Sequence, residues 1–293
     1  MKKKTEQTVD IKRPSWLKEV WRRLKKNKVA MLGLVLLFVI LFVLVFADLI
    51  VPYDKAISQD IVNRLQKPSA THWFGTDGLG RDEFARIIHG ARNSMSIGII
   101  ATLGALVIGG LLGTIGAYCG GKIDSVIMRL NDVMVAIPVI LLALVIVSAL
   151  GASLMNLIIA ISAARVPYFI RVIRSSVLGI VDQEYIEAAK AGGVSDVTII
   201  FRHIIPNAVG TIIVQTTMSI SFLILQAATL SFLGMGIQAP APEWGYMLSE
   251  AKEFARSSGY LLLFPGVCIC MSALAFSLLG DGLRDALDPR LKN

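Results

Sequence analysis

Charge is scarce in this chain of 293 residues: Asp, Glu, Lys and Arg make up 17% of it, while hydrophobic residues make up 55%. That balance leaves too little polar surface to coat a water-soluble globule, and it places the chain in a membrane. Cysteine and histidine are scarce as well. Cys119, Cys268 and Cys270 lack CxxC spacing and lie in or at the ends of apolar runs, so they read as small packing residues and say nothing about redox compartment. His72, His89 and His203 are too scattered to form a metal site. No Ser-His-Asp set is readable, which leaves a membrane enzyme without a catalytic constellation. The alternating ten-residue pattern of a membrane barrel is missing too.

What is present is a formal net charge of +8, unevenly placed. Lys2, Lys3, Lys4, Lys12, Arg13, Lys18, Arg22, Arg23, Lys25, Lys26 and Lys28 all precede the first apolar run. Anionic headgroups and the positive-inside bias account for this cluster. No aromatic-interleaved basic surface accompanies it, so the expected partner is membrane lipid and not nucleic acid. Two nucleotide motifs fail on inspection. Gly116 to Lys122 matches GxxxxGK, but Ile123 stands where a Ser or Thr must reach magnesium. Gly234 to Ala239 matches GxGxxA, yet Pro240 and Pro242 follow where a helix should begin. No ATPase site and no cofactor is therefore expected in this chain.

The run Val29 to Phe46 reaches ~27 Å as a helix, about one hydrocarbon core. Asp48, Pro52 and Asp54 follow where a signal peptide would need small residues for cleavage, so the run is expected to stay as an anchor. Met95 to Cys119, Val126 to Leu150, Leu157 to Ile180, Ala208 to Leu233 and Tyr260 to Leu279 read as further helices. The fold class is an all-α membrane protein with six transmembrane helices, both termini cytoplasmic if the basic N-terminus lies inside. That topology divides the chain into a basic cytoplasmic segment, 1–28; a first transmembrane helix, 29–47; an extracytoplasmic segment, 48–94; a five-helix core, 95–281, with a cytoplasmic loop at 182–207; and a cytoplasmic tail, 282–293. Within the outer segment, Arg81 to Arg92 puts Phe84, Ile87, Ile88 and Ala91 on one side, which predicts an amphipathic helix flat on the membrane surface.

Several side chains stand out inside the apolar runs. Ala105, Gly109, Gly113, Gly116 and Gly120 fall near one helical face, where a neighbouring backbone can approach closely. Arg129 and Asp132 are spaced to pair at i,i+3, and Pro138 should kink the third span. Arg165, ahead of Pro167 in the fourth span, is costly in lipid unless it faces water or a partner. As a cation in a passage it could meet a substrate carboxylate; the competing reading is snorkelling to the outer headgroups or pairing with a polar neighbour. On the fifth span Gln215, Ser219 and Gln226 share a face, with Phe222 between them. Such a stripe lines a hydrophilic path or glues helices together, and with Arg165 it makes the candidate substrate path. An ion-coupled carrier working alone would want midplane carboxylates, for which Asp132, near the inner surface, is a poor candidate.

Asp182 to Asn207, DQEYIEAAKAGGVSDVTIIFRHIIPN, is a polar stretch between two of these spans. Glu187 falls early on a short helix, where a carboxylate suits the positive end of the dipole, and Ala188, Ala189 and Ala191 give that helix a narrow face. Gly193 can take positive φ and turn the chain, Ser195 or Asp196 can cap the next turn, and Pro206 suits the first turn of the fifth span. A helix so braced can pass force from a moving partner to the membrane helices; an ordinary surface loop is the competing reading.

The same stretch resembles the EAA loop of ABC importer permeases. Glu187, Ala188 and Ala189, then three residues, then Gly193 fit its pattern, and Ile205 with Pro206 closes it. His203 and Ile205 depart from the general form, but FRHIIPN, from Phe201 to Asn207, is similar to the run in the peptide and nickel branch. HWFGTDGLGRD from His72 to Asp82, LSFLGMGIQAPAPEWGYML from Leu230 to Leu248 and LLGDGLRDALDPR from Leu278 to Arg290 resemble that branch in the same order. The resemblance covers most of the chain after residue 70. It implies a type I ABC importer permease, the C-type subunit of a dipeptide or oligopeptide transporter in a bacterial-type cytoplasmic (inner) membrane. It further implies a homologous B-type permease subunit, two ATP-binding subunits that hold ATP and Mg, and an extracytoplasmic substrate-binding protein. Glu187, Ala188, Ala189, Gly193 and Pro206 would then be the ATPase-coupling residues. Nickel chelates, glutathione and antimicrobial peptides stand as alternative cargo, because selectivity in such systems sits largely in the binding protein.

Overall fold

The computed structural model describes residues 16–287. Among them the chain is helical, with no strand beyond an isolated bridge between Thr76 and Asp82. A short helix α1 (Trp16–Leu24) precedes α2 (Lys28–Ile50), whose first turn is capped by Asn27: its side chain accepts from the amides of Val29 and Ala30. A single turn, α3 (Asp54–Ile57), and an irregular segment lead to α4 (Glu83–Cys119). Next come α5 (Gly121–Val135), α6 (Val139–Leu150) and α7 (Leu154–Val181). Two short helices, α8 (Glu184–Ala191) and α9 (Asp196–Ile199), then a π turn at Ile200–Ile204, feed α10 (Ile205–Phe232). The described chain ends with α11 (Trp244–Ala251) and α12 (Tyr260–Leu287).

Among the described residues, five helical runs are long and apolar enough to cross a membrane: α2, α4, α7, Asp196–Phe232 and α12; a sixth is added if α5 and α6 are one bent span. Counted that way, alternate crossings bring α1, α8 and the last turn of α12 to one end of the bundle and α3 and α11 to the other.

Three expectations change. The 81–92 segment is no separate surface helix: α4 starts at Glu83, with the Asp82 side chain accepting from the Ala85 amide, and runs on for 37 residues. That length is ~55 Å, well past a ~30 Å hydrocarbon core, so its first turns stand clear of lipid. Ile87, Ile88 and Ala91 are buried there by protein, as are Arg86 and His89, because α3 and α11 pack over them. The third span is broken instead of kinked: α5 and α6 meet at 86°. Pro138 has no amide to donate and disfavours a helical residue before it, so the chain leaves the helix at Pro138 (φ −54°, ψ 133°) and starts another. Asp132 bonds Arg171 of α7 at 2.8 Å and not Arg129, since the neighbouring helix presents a guanidinium to it.

The glycine face of α4 does what its spacing suggests. A Cβ on Gly109 would lie 2.6 Å from Phe169 Cβ and 2.7 Å from the Val166 carbonyl, and one on Gly113 would lie 2.6 Å from the Ile170 carbonyl. Bare backbone lets α4 seat directly on α7, the most enclosed crossing, 61% of whose apolar window is buried against 11% for α2. Gly109→Leu should therefore push α4 off α7, at a cost of about 1–3 kcal/mol, and lower both folded yield and unfolding temperature in detergent. Gly110→Leu, where an added Cβ meets nothing closer than Leu106 Cδ1 at 3.8 Å, is the control. Equal losses in the two variants would refute the close-approach argument.

Candidate functional site

The Asp182–Asn207 stretch folds into a knob at the α8 end. Glu187 lies in the first turn of α8, where the helix dipole favours a carboxylate, and it is exposed together with Ala188; Ala189 is half-buried. Ile186, Ile199 and Ile204 are fully buried in a cluster with Val177 and Ile173 of α7, which seats the knob on the bundle. Gly193 adopts φ +74°, the left-handed region that a side chain resists, and turns the chain between α8 and α9. Ser195 holds the N-cap position of α9, but its Oγ bonds Thr198 Oγ1 at 2.8 Å and not the backbone. Pro206 sits in the first turn of α10. The wide π turn before it, closed by the Ile205 amide on the Ile200 carbonyl, makes room for a ring that an ordinary helix would crowd.

One member of this knob's support escapes sequence reasoning. Tyr118, in the last turn of α4, donates its hydroxyl to Asp196 Oδ1 at 2.6 Å, and Lys190 Nζ lies 4.8 Å from the centre of its ring. The phenol thus ties both short helices to α4. Its sole trace in the sequence is a polar aromatic just before the Gly120–Gly121 turn.

The candidate path residues gather on the facing sides of α7 and α10. Arg165 reaches across to α10 instead of snorkelling: its Nη2 donates to Ser219 Oγ at 3.2 Å, and Cζ lies 3.7 Å from the Tyr168 ring centre and 4.4 Å from that of Phe222. Gln215 accepts from the Tyr168 hydroxyl at 2.5 Å. Gln226 is half-buried and makes no side-chain hydrogen bond among the described residues, so the structure does not bring it into this group. Two cation–π contacts, worth up to about 2 kcal/mol each when desolvated, offset much of the roughly 3 kcal/mol that a central arginine costs. Below Arg165, α7 is clasped to α5 by Arg171–Asp132 at 2.8 Å and by two bonds of 2.6 Å from Arg174 to Asp124.

At the α11 end, the His72–Asp82 and Leu230–Leu248 runs converge. Arg81 donates to Asp77 at 2.6 Å and to Glu250 at 2.7 Å; Arg86 bonds the same two carboxylates. The buried Glu243 caps α11 through the Gly245 and Tyr246 amides and accepts from Ser94 of α4. Burial pushes its carboxyl above the usual range, against those hydrogen bonds. A cleft of about 370 Å³ lies beside this network, lined by Glu83, Tyr246 and Phe254 among others.

Residues 87–293 match the family described as binding-protein-dependent transport system inner membrane component, and residues 15–68 match the N-terminal TM domain of oligopeptide transport permease C. The chain belongs to the binding-protein-dependent transport permeases. This permease is 49% identical to the dipeptide transport system permease protein DppC of Alkalihalophilus pseudofirmus, over 94% of this chain and 90% of that one. It is 41% identical to the glutathione transport system permease protein GsiD of Pectobacterium atrosepticum, over 96% and 93% of the two chains. In fold it resembles a chain of the MetNI methionine ABC transporter in an inward-facing conformation, with TM-score 0.59 and 16% identity over 70% of this chain and 97% of the other. Membership sets aside the ion-coupled carrier that works alone and agrees with a multi-pass membrane protein.

Tyr118→Phe should leave the permease folded while releasing Asp196. The lost bond, worth about 1 kcal/mol at an exposed site, should speed hydrogen exchange of the 184–199 amides several-fold. Unchanged exchange there would remove Tyr118 as the tether.

Proposed function

We propose that this permease is the C-type transmembrane subunit of an ATP-driven importer of dipeptides or oligopeptides, in a bacterial-type cytoplasmic membrane. It forms half of the translocation path beside a homologous B-type permease, and it draws energy from two ATP-binding subunits that bind ATP and Mg. An extracytoplasmic substrate-binding protein delivers the cargo at the α11 end, and both termini lie in the cytoplasm with α8. The GxxxxGK match falls on the end of α4 and the positive-φ glycines Gly120 and Gly121 that lead into α5, where a P-loop would follow a strand.

The observation that carries this reading is the surface of the knob. Glu187 and Ala188 stand exposed at the tip, and Tyr185, Val194, Val197 and Phe201 expose apolar surface around them, Val197 at 66% and Phe201 at 64%. Tyr185 and Val194 precede the Asp196–Phe232 run, and Val197 and Phe201 stand in its first turns, so apolar surface displayed at this end of the bundle fits a protein partner. Glu187, Ala188, Ala189, Gly193 and Pro206 form the coupling element that docks in an ATPase cleft. ATP-driven closure of the ATPase pair draws the two permeases' coupling helices together and turns the path outward; hydrolysis and release return it inward. Arg165, Gln215 and Ser219 line this chain's half of the path. The kinship with DppC supports peptide cargo, and the kinship with GsiD keeps glutathione as the alternative.

Glu187→Lys reverses the charge on the docking face, and Gly193→Pro forbids the φ of +74° that the turn requires. Both variants should insert in the membrane at normal levels, retain less ATPase on co-purification and lose at least tenfold in ATP-dependent uptake. Normal uptake by both would reject the coupling assignment.

A further inference from the structure

Arg165 stands apart from the other arginines of α7. Arg171 and Arg174 each hold a carboxylate of α5, Asp132 and Asp124. Arg165 has none among the described residues: Ser219 and two aromatic rings hold it, and its Nε is buried without a partner. Rings and a hydroxyl fix a guanidinium in place but do not neutralise it. The group lies eleven positions into a helix of 28 residues, ~17 Å along it, far from either end. A cation kept there without a counter-charge is built to meet an anion that comes and goes.

The polar contacts continue toward the α8 end. The Tyr168 ring that carries Arg165 donates its hydroxyl to Gln215. Gln215 in turn lines a cleft of about 310 Å³ between α10 and α12, together with Asn207, Thr211 and Arg284, and none of the described residues that line it is acidic. Donors and cations therefore follow one another from mid-bundle to the cleft: guanidinium, hydroxyl, amide, guanidinium. A permanent ion pair with the partner permease would need no such sequel, whereas a travelling anion needs successive sites that each hold it weakly.

We propose that Arg165, steadied by Tyr168 and Phe222, is a carboxylate-reading subsite for the C-terminal carboxylate of peptide cargo, and that the Gln215–Arg284 cleft receives the same group on its way inward. This deepens the importer reading and rests on it. Nε is covered in this arrangement, so the carboxylate bridges the Nε and Nη2 fork of the planar guanidinium once the α7–α10 contacts part and Ser219 gives up its bond.

The test uses liposomes containing the complete transporter, supplied with alanyl-alanine or its C-terminal amide. The quantity read is the ratio of carboxylate to amide uptake in the wild type, divided by the same ratio in Arg165→Gln. The binding protein is common to both arms, so its own preference cancels. That quotient should be at least ten, and Arg165→Lys, which keeps the charge but not the fork, should fall between. ATP-dependent uptake with a quotient near one, including equal slowing of both peptides, overturns the subsite alone. Loss of the partner permease from purified Arg165→Gln overturns it in favour of an interface ion pair. Wild-type liposomes that take up neither peptide with ATP overturn the importer reading and the subsite with it.

Discussion

A charge inside an apolar bundle must be neutralised by a neighbour or left facing something polar, and that constraint arranges this permease from end to end. At the α11 end, Asp77 and Glu250 neutralise Arg81 and Arg86, and in doing so lock the loop before α4 and the distant helix α11 against the first turns of α4. Lower down, Asp124 and Asp132 hold the broken α5 to α7 through Arg174 and Arg171. The buried pairs of Asp77 with Arg81 and Arg86 add little net stability, because desolvation consumes most of the Coulomb gain, and the more exposed α5–α7 pairs add little because water screens them; what both provide is register. Against that background of paired arginines, Arg165, with no carboxylate beside it among the described residues, is an informative exception.

The same constraint explains which parts of the molecule were legible in the sequence. Long apolar runs mark crossings reliably because lipid permits few alternatives, and Gly109, Gly113 and Gly193 announce their roles because only a bare Cα fits a tight helix contact or a φ of +74°. The start of α4 is not legible in the sequence because an amphipathic pattern states that one side is apolar, not whether lipid or protein covers it; α3 and α11, separate in sequence, do the covering. Pro138 announces a lost hydrogen bond but not the 86° turn that follows, which depends on how α6 packs against α7. Asp132 illustrates a third limit. Its neighbour at i−3 was a plausible partner by spacing, yet Arg171 lies 39 positions away and reaches it first. Tyr118 and Tyr168 were invisible for a related reason: a tyrosine in a helix reads as packing until another helix supplies the acceptor for its hydroxyl.

The placement of the proposed coupling element relative to the polar stripe has a mechanical consequence. α7 runs into α8 and α9, and these run through the π turn into α10, so the knob is the hairpin that joins the two helices carrying Arg165 and Ser219. Buried Ile186, Ile199 and Ile204 clamp the hairpin to the helices, and close-packed interiors transmit displacement instead of absorbing it. A stroke delivered to α8 therefore cannot move α7 without also loading α10. The polar contacts between those helices at mid-bundle are two hydrogen bonds, of 3.2 Å from Arg165 to Ser219 and of 2.5 Å from Tyr168 to Gln215, and aromatic faces across which a guanidinium can slide, with no ion pair among the described residues. The strong, paired contacts of α7 go to α5 instead, and α4 is fused to it through bare glycine. A displacement of the knob would accordingly be spent where resistance is least, at the α7–α10 seam, which is also where the unneutralised cation lies. The proposed lever and the proposed passage need no separate linkage in such an arrangement, because they are two ends of one hairpin.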